Sequence, residues 1–207
     1  MPTIYFVRHG STEANRQGLT RSWGKFGLDS AGTMAAKNIG KMLAGKGITA
    51  IHSSDLQRAK ETAGHIAEAT GAKVQHSDNL RTWNLGRLSG KKIGSVIPQL
   101  NFHSAKPHVP TPEGESFQQF FERSSVHLKK VIAGLKPDQA VAIVGHGRHM
   151  NGLDALMKSV RGEKVDLSKI PVTGGPGPGS VVKLTLGKDG VKRETLLAGD
   201  KQSGVPS

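Results

Sequence analysis

The sequence predicts an α/β domain of three layers, α/β/α, with a mostly parallel central sheet of about six strands and helices on both faces. Three observations predict it. Short apolar runs alternate with longer amphipathic ones, the pattern of strands joined by crossover helices. The chain has 207 residues, enough for one sizeable domain with its own core. No repeat and no linker divides it, so residues 1–199 read as one domain and 200–207 (DKQSGVPS) as a flexible tail.

The elements follow in order. The first strand is 3–8 (TIYFVR), which breaks off into Arg8-His9-Gly10. A helix is expected over 30–45, then a strand over 48–52 (ITAIH). The helix over 55–70 opens on Ser54 with Gln57 three residues on, a capping-box pattern, and Asp55 suits the positive end of its dipole. Leu56, Ala59, Ala63 and Ile66 make its apolar stripe. A strand over 73–76 (KVQH) follows. The segment 99–114 (QLNFHSAKPHVPTPEG) has three prolines and little periodicity, and predicts a long surface loop or lid. A helix over 115–134, a strand over 140–145 (AVAIVG) and a helix over 149–160 come next. The stretch 171–179 (PVTGGPGPG) reads as punctuation before strands 180–186 and 191–197, which flank the hairpin signal Lys188-Asp189-Gly190.

Composition narrows the function classes. The chain lacks cysteine, which excludes thiol catalysis, disulfides and cysteine-ligated metals, and fits a cytoplasmic protein. "MPTIYFVRHG" has neither the basic lead nor the apolar region of a signal peptide, and no run approaches the ~20 apolar residues of a membrane span. Twenty-nine Lys and Arg against 16 Asp and Glu give a formal charge of +13, a field that attracts anions. These cations are scattered, without a block of five, and two Trp, one Tyr and six Phe offer few stacking platforms. A phosphorylated small molecule fits better than specific nucleic-acid binding.

Four features fall at predicted C-terminal strand ends or first helical turns, the edge where open α/β sheets bind ligands. They are Arg8-His9-Gly10 with Asn15 beyond, Arg58, the "GES" of 114–116, and His146-Gly147. A histidine at one strand end is commonly a hydrogen-bonded structural residue. Two His-Gly turns after two apolar strands, with arginines at the same edge, point to an anion site.

"FVRHGSTEAN", "LDSAG" (28–32), "SSDLQRAKETA" (53–63), "GES" and "VGHG" (144–147) occur in this order. Together they resemble the histidine phosphatase superfamily in its phosphoglycerate-mutase-like branch, over residues 3 to about 186. The resemblance implies His9 as a nucleophile that carries the phosphoryl group, with His146, Arg8, Arg58, Asn15 and Gly147 around the phosphate. It implies no metal and no cofactor. Arginine suits the task, since its planar fork matches two phosphate oxygens and stays charged.

The pattern departs at one place. In "LRTWNLGRLSG" (80–90) Thr82 stands where the resemblance expects a glutamate that protonates the leaving oxygen. Glu115 is the first candidate for a replacement acid and Glu13 the second; a carboxylate serving the dipole of its helix is the other role for Glu115. A substrate with a good leaving group, such as a phosphoanhydride or phosphohistidine, is the alternative that needs no strong acid. The expectation is therefore a metal-independent phosphohydrolase working through phosphohistidine on a small phosphorylated or otherwise activated substrate. A phosphate-binding module with weak or no catalysis is the alternative, and a phosphoglycerate-type mutase a further one.

Overall fold

A computed structural model of the protein describes residues 1–188 and 190–200. Six strands, β1 (Thr3–Arg8), β2 (Ile48–Ser54), β3 (Lys73–Ser77), β4 (Ala140–Gly145), β5 (Val181–Gly187) and β6 (Gly190–Leu197), form one sheet in the order β3-β2-β4-β1-β5-β6. The first four of that order run parallel, and β5 and β6 are antiparallel additions at the β1 edge. The register pairs Gly187 with Gly190, the tight hairpin expected there. Asp189 of its signal, and the tail from 201 onward, lie outside the described residues.

Side chains alternate across a strand, so each central strand feeds two cores. Ile4 and Phe6 of β1 join Val141 and Ile143 of β4 on one face, under Phe117, Phe120, Leu128, Leu153 and Leu156. These come from α5 (Phe117–Ala133) and α7 (Leu153–Val160). Tyr5 and Val7 share the other face with Ala140, Ala142 and Val144, beneath Ile39, Leu43, Ala59, Ala63 and Ile66. Those belong to α2 (Ser30–Leu43) and α3 (Gln57–Thr70). The strands are covered on both sides, which is why they read as unbroken apolar runs.

Side-chain caps explain the starts of α2 and α5, while α3 and α7 begin without one. Asp29 caps α2, its Oδ1 accepting from the Gly32 N–H at 2.7 Å. Ser116 and Gln119 form the reciprocal box that opens α5. The expected box at Ser54 and Gln57 does not form. Ser54 is still strand, Leu56 is the N-cap without a side-chain bond, and Asp55 is instead taken by a two-pronged ion pair with Arg81 at 2.7 and 2.5 Å. A second correction concerns the segment 99–114. Its first half, to residue 105, is the end of α4 (Ile93–Ala105), and the remainder is a short connection into α5. Pro98 sits inside α4 and removes one rung of its ladder, which disguised the helix in the sequence. Among the described residues no helix is long and apolar enough to cross a membrane.

Candidate active site

Adjacency of β1 and β4 brings the two His-Gly turns together. Arg8 lies opposite Gly145 in the parallel register. The next residues, His9 and His146, therefore leave the sheet side by side, with ring centroids 5.1 Å apart. Both are 2% exposed. Gly10 allows the turn to sit against the start of α2: a Cβ there would lie 2.4 Å from the Gly32 carbonyl oxygen. The glycines of "RHG" and "LDSAG" thus face one another.

His9 has a defined tautomer. Its Nδ1 is 2.7 Å from the Gly10 carbonyl oxygen, which can only accept, so Nδ1 holds the proton and Nε2 keeps a lone pair. Arg58, from the first turn of α3, donates from Nε to that Nε2 at 3.2 Å. Its other nitrogens donate to the Ser22 and Gly24 carbonyls at 2.8 and 3.2 Å. Backbone dipoles, without a carboxylate, therefore hold this buried guanidinium. Burial, followed by the Arg58 and Arg8 charges, holds His9 well below the ordinary histidine range. Burial and the charge of Arg58 do the same to His146. Both rings are neutral at pH 7.

Arg8 donates to the Pro176 carbonyl, and its Nε is buried with no partner. Gly147 is what gives Arg8 room, since a Cβ there would lie 3.0 Å from the Arg8 Cζ. Burial draws the guanidiniums of both Arg8 and Arg58 down to about 9, with nearby guanidinium charges adding to the fall, and they remain cationic at neutral pH. His146 has both ring nitrogens buried without a hydrogen-bond partner.

These groups open into a cavity of about 640 Å³ that Arg21 and Arg148 also line. Among the described residues Asp200 is its only acidic lining residue, and none of its four arginines makes an ion pair. Unneutralised cations and unpartnered buried imidazole nitrogens around one space make a strong anion site. Among the described residues no group of three or more His, Asp or Glu could hold a metal ion.

The structure separates the remaining expected residues. Asn15 is not in the cavity wall: its Oδ1 accepts from the Thr12 N–H and hydroxyl, capping the short helix α1 (Glu13–Arg16), while its buried Nδ2 has no partner. Glu13 is exposed and paired with Arg16 and Gln17, away from the cavity. The placement of Glu115 near the phosphate is corrected. Its carboxylate lies outside the cavity wall, accepting from Arg123 Nη2 at 2.6 Å, Arg123 Nε at 3.0 Å and the Asn84 N–H at 2.8 Å. Arg123 in turn donates to the Arg81 and Thr82 carbonyls. Glu115 is a half-buried pin for the 79–84 segment. Glu115→Ala should therefore cost about 2 kcal/mol in a denaturant titration, because a partly buried guanidinium loses its charge-assisted hydrogen bonds. Turnover of the folded fraction should not show the ~10²–10⁴-fold drop that follows loss of a general acid.

His149 turns inward. Its Nδ1 accepts from the His146 N–H at 3.3 Å and its Nε2 lies 3.1 Å from Ser124 Oγ, so it orients the turn that carries His146. Burial, then the Arg123 charge, lowers it to about 3. His9, His146 and His149 are thus neutral in the fold, while an unfolded chain protonates them near pH 6.5. Below that pH the unfolded state binds more protons, so stability is lost as pH falls, by about 1.4 kcal/mol per unit for each ring. Denaturant titrations at successive pH values should show this slope, shallower in His149→Gln by the share of one ring.

Sequence reasoning missed Arg21, for which "LTRSWG" carries no signal beyond a cation, and it read 171–179 as punctuation. That stretch is a cavity wall from 172 to 177. Its glycines permit close packing: a Cβ on Gly175 would lie 1.5 Å from Asn151 Oδ1, and one on Gly177 would lie 1.7 Å from the Asp200 carbonyl.

A family model described as the histidine phosphatase superfamily (branch 1) matches residues 4–196. The chain is 30% identical over 152 residues to a protein named probable phosphoglycerate mutase GpmB from Salmonella arizonae, covering 71% of this chain and 70% of that one. A protein of the same name from Klebsiella pneumoniae is 32% identical over 155 residues, with the same coverage. Among solved structures, a mycobacterial glucosyl-3-phosphoglycerate phosphatase superimposes with a TM-score of 0.77 at 24% identity, covering 94% of this chain and 97% of that one. Bacillus stearothermophilus YhfR gives 0.73 at 24%, covering 98% of both chains. These two share the fold.

Proposed function

The chain belongs to the histidine phosphatase superfamily, and from that premise we propose that it is a phosphohydrolase that transfers a phosphoryl group to His9 Nε2 and then to water. One observation carries the reading: a neutral His9 whose only lone-pair nitrogen meets Arg58 at 3.2 Å in a cavity of otherwise unneutralised guanidiniums. The substrate phosphate binds with oxygens on Arg8, Arg58 and His146. The negative charge of the transferring group spreads over those oxygens, so positioning and neutralisation supply most of the catalysis. As Arg58 turns its Nε–H from Nε2 to a phosphate oxygen, the freed lone pair attacks phosphorus and the bond to the leaving oxygen breaks, while the proton stays on Nδ1, donated to the Gly10 carbonyl oxygen, which stabilises the cationic ring that forms. Water then attacks the phosphorus from the vacated side, the P–N electron pair returns to Nε2, and one water proton passes to solvent. The guanidiniums supply the neutralisation for which other phosphoryl-transfer sites recruit metal ions.

Thr82 lines the cavity at the position where the resemblance expects an acid. A threonine hydroxyl holds its proton far too tightly to give it to a departing alkoxide. The reading therefore favours substrates whose leaving oxygen departs as a stable anion. A series of aryl phosphates tests it: kcat/KM should climb steeply as the leaving phenol becomes more acidic, and alkyl phosphates should be at least ~10²-fold slower. A flat series would require an acid that Thr82 cannot be. Release of inorganic phosphate, rather than return to a substrate hydroxyl, separates hydrolase from mutase. Thr82 also favours a second reading, binding without turnover. A chain that binds vanadate yet releases no phosphate from the most activated ester would establish that reading instead.

A further inference from the structure

Arg21 and Arg148 are the two cavity guanidiniums beyond the Arg8 and Arg58 assigned to the transferring phosphoryl group. Arg21 enters from the loop between α1 and α2, with Nη1 donating to the Leu19 carbonyl at 2.8 Å. Arg148 enters from α6 (Gly147–Asn151), its Cζ 5.7 Å from the Trp83 ring centroid and its Nη1 buried with no partner. Neither makes an ion pair with a described carboxylate. Burial lowers both to about 10, with the Arg21 charge adding to the fall of Arg148, and both are charged at neutral pH.

A single phosphoryl group has three non-bridging oxygens, which Arg8, Arg58 and His146 already suffice to hold. Two further forks in the same low-dielectric space repel the first pair and destabilise the empty fold unless a second oxyanion joins them. Thr82, which lines the same cavity, supplies no proton to a leaving group. A leaving group that is itself a phosphate needs none, because it departs as an anion onto waiting cations.

We propose that Arg21 and Arg148 form a leaving-phosphate subsite and that the substrate is a phosphoanhydride. The proposal rests on the phosphohydrolase reading and narrows its substrate class. The terminal phosphorus accepts the Nε2 pair, a P–N bond forms, and the bridging P–O bond breaks with its pair passing to the oxygen of the second phosphate, held by Arg21 and Arg148. Water then forms a P–O bond, the P–N pair returns to Nε2, and one proton goes to solvent. For hydrogen pyrophosphate, one trianion and one water give two hydrogen phosphate dianions and one proton.

Side-by-side kinetics on the full chain test this, using inorganic pyrophosphate and an aryl monophosphate as the two probes. Wild type should have the higher kcat/KM on pyrophosphate. Arg21→Gln and Arg148→Gln should each lower the pyrophosphate value about 10- to 100-fold more than the aryl value, the loss expected for a charge-assisted pair. Arg148→Lys, which keeps the charge, should recover part of the difference and serves if a glutamine variant fails to fold. Equal losses on both probes would overturn the subsite. So would a wild type that hydrolyses the aryl ester through His9 yet favours it over pyrophosphate. His9-independent or absent turnover of both probes would instead remove the phosphohydrolase reading, and the subsite with it.

Discussion

His9→Ala is expected to lower turnover of an activated aryl phosphate by about 10⁴-fold or more, the scale on which removal of a nucleophile acts. The fold should survive the change. His9 follows β1 and carries none of the core packing that holds Ile4, Tyr5, Phe6 and Val7. Arg58 keeps its two carbonyl partners, and the cavity keeps its guanidiniums. Phosphate or vanadate should therefore still bind the variant and raise its melting temperature. Binding without turnover would separate the role of His9 from that of the anion site around it. Equal rates in wild type and variant would remove the imidazole from the chemistry.

Arg58→Gln carries the second large effect. The side chain is 1% exposed and makes three directed hydrogen bonds, so glutamine can satisfy at most part of them. A fall in kcat/KM of about 10²–10³-fold is expected, comparable to loss of a preorganised donor to a developing anion. The variant should also change the pH profile. After burial, the Arg58 charge is the largest influence holding His9 and His146 neutral. Without that charge, protonation becomes easier, the His9 pKa rises, and the acid limb of kcat/KM moves to higher pH. Arg58→Lys should restore the position of that limb better than it restores the rate, because an ammonium keeps the charge but lacks the fork. An unmoved acid limb in Arg58→Gln would contradict the electrostatic coupling.

Much of this site was legible because it lies on the sheet. Unbroken apolar runs defined the strands, and two of them ending in His-Gly predicted two imidazoles at one edge. The parallel β1–β4 register then set them at 5.1 Å. Arg58 was legible for the same reason, since the first turn after a parallel strand faces that edge. Residues whose position depends on loops were not. Arg21 reaches the cavity through a turn that no periodicity encodes, and the glycines of 174–177 became a wall because their missing side chains admit Asn151 and the Asp200 backbone. Glu115 misled because its motif predicts proximity to the pocket but cannot say which way the carboxylate turns. Arg123, two helical turns further along α5, decides that direction.

The most direct measurement is rapid quenching of the enzyme during turnover of an activated phosphate, followed by localisation of the bound phosphoryl group by mass spectrometry and phosphorus NMR. A phosphoramidate on Nε2 of His9, stable in alkali and lost in acid, is the predicted result, with none formed in His9→Ala. Steady turnover with no covalent phosphate on His9, or with the group on another residue, would contradict it.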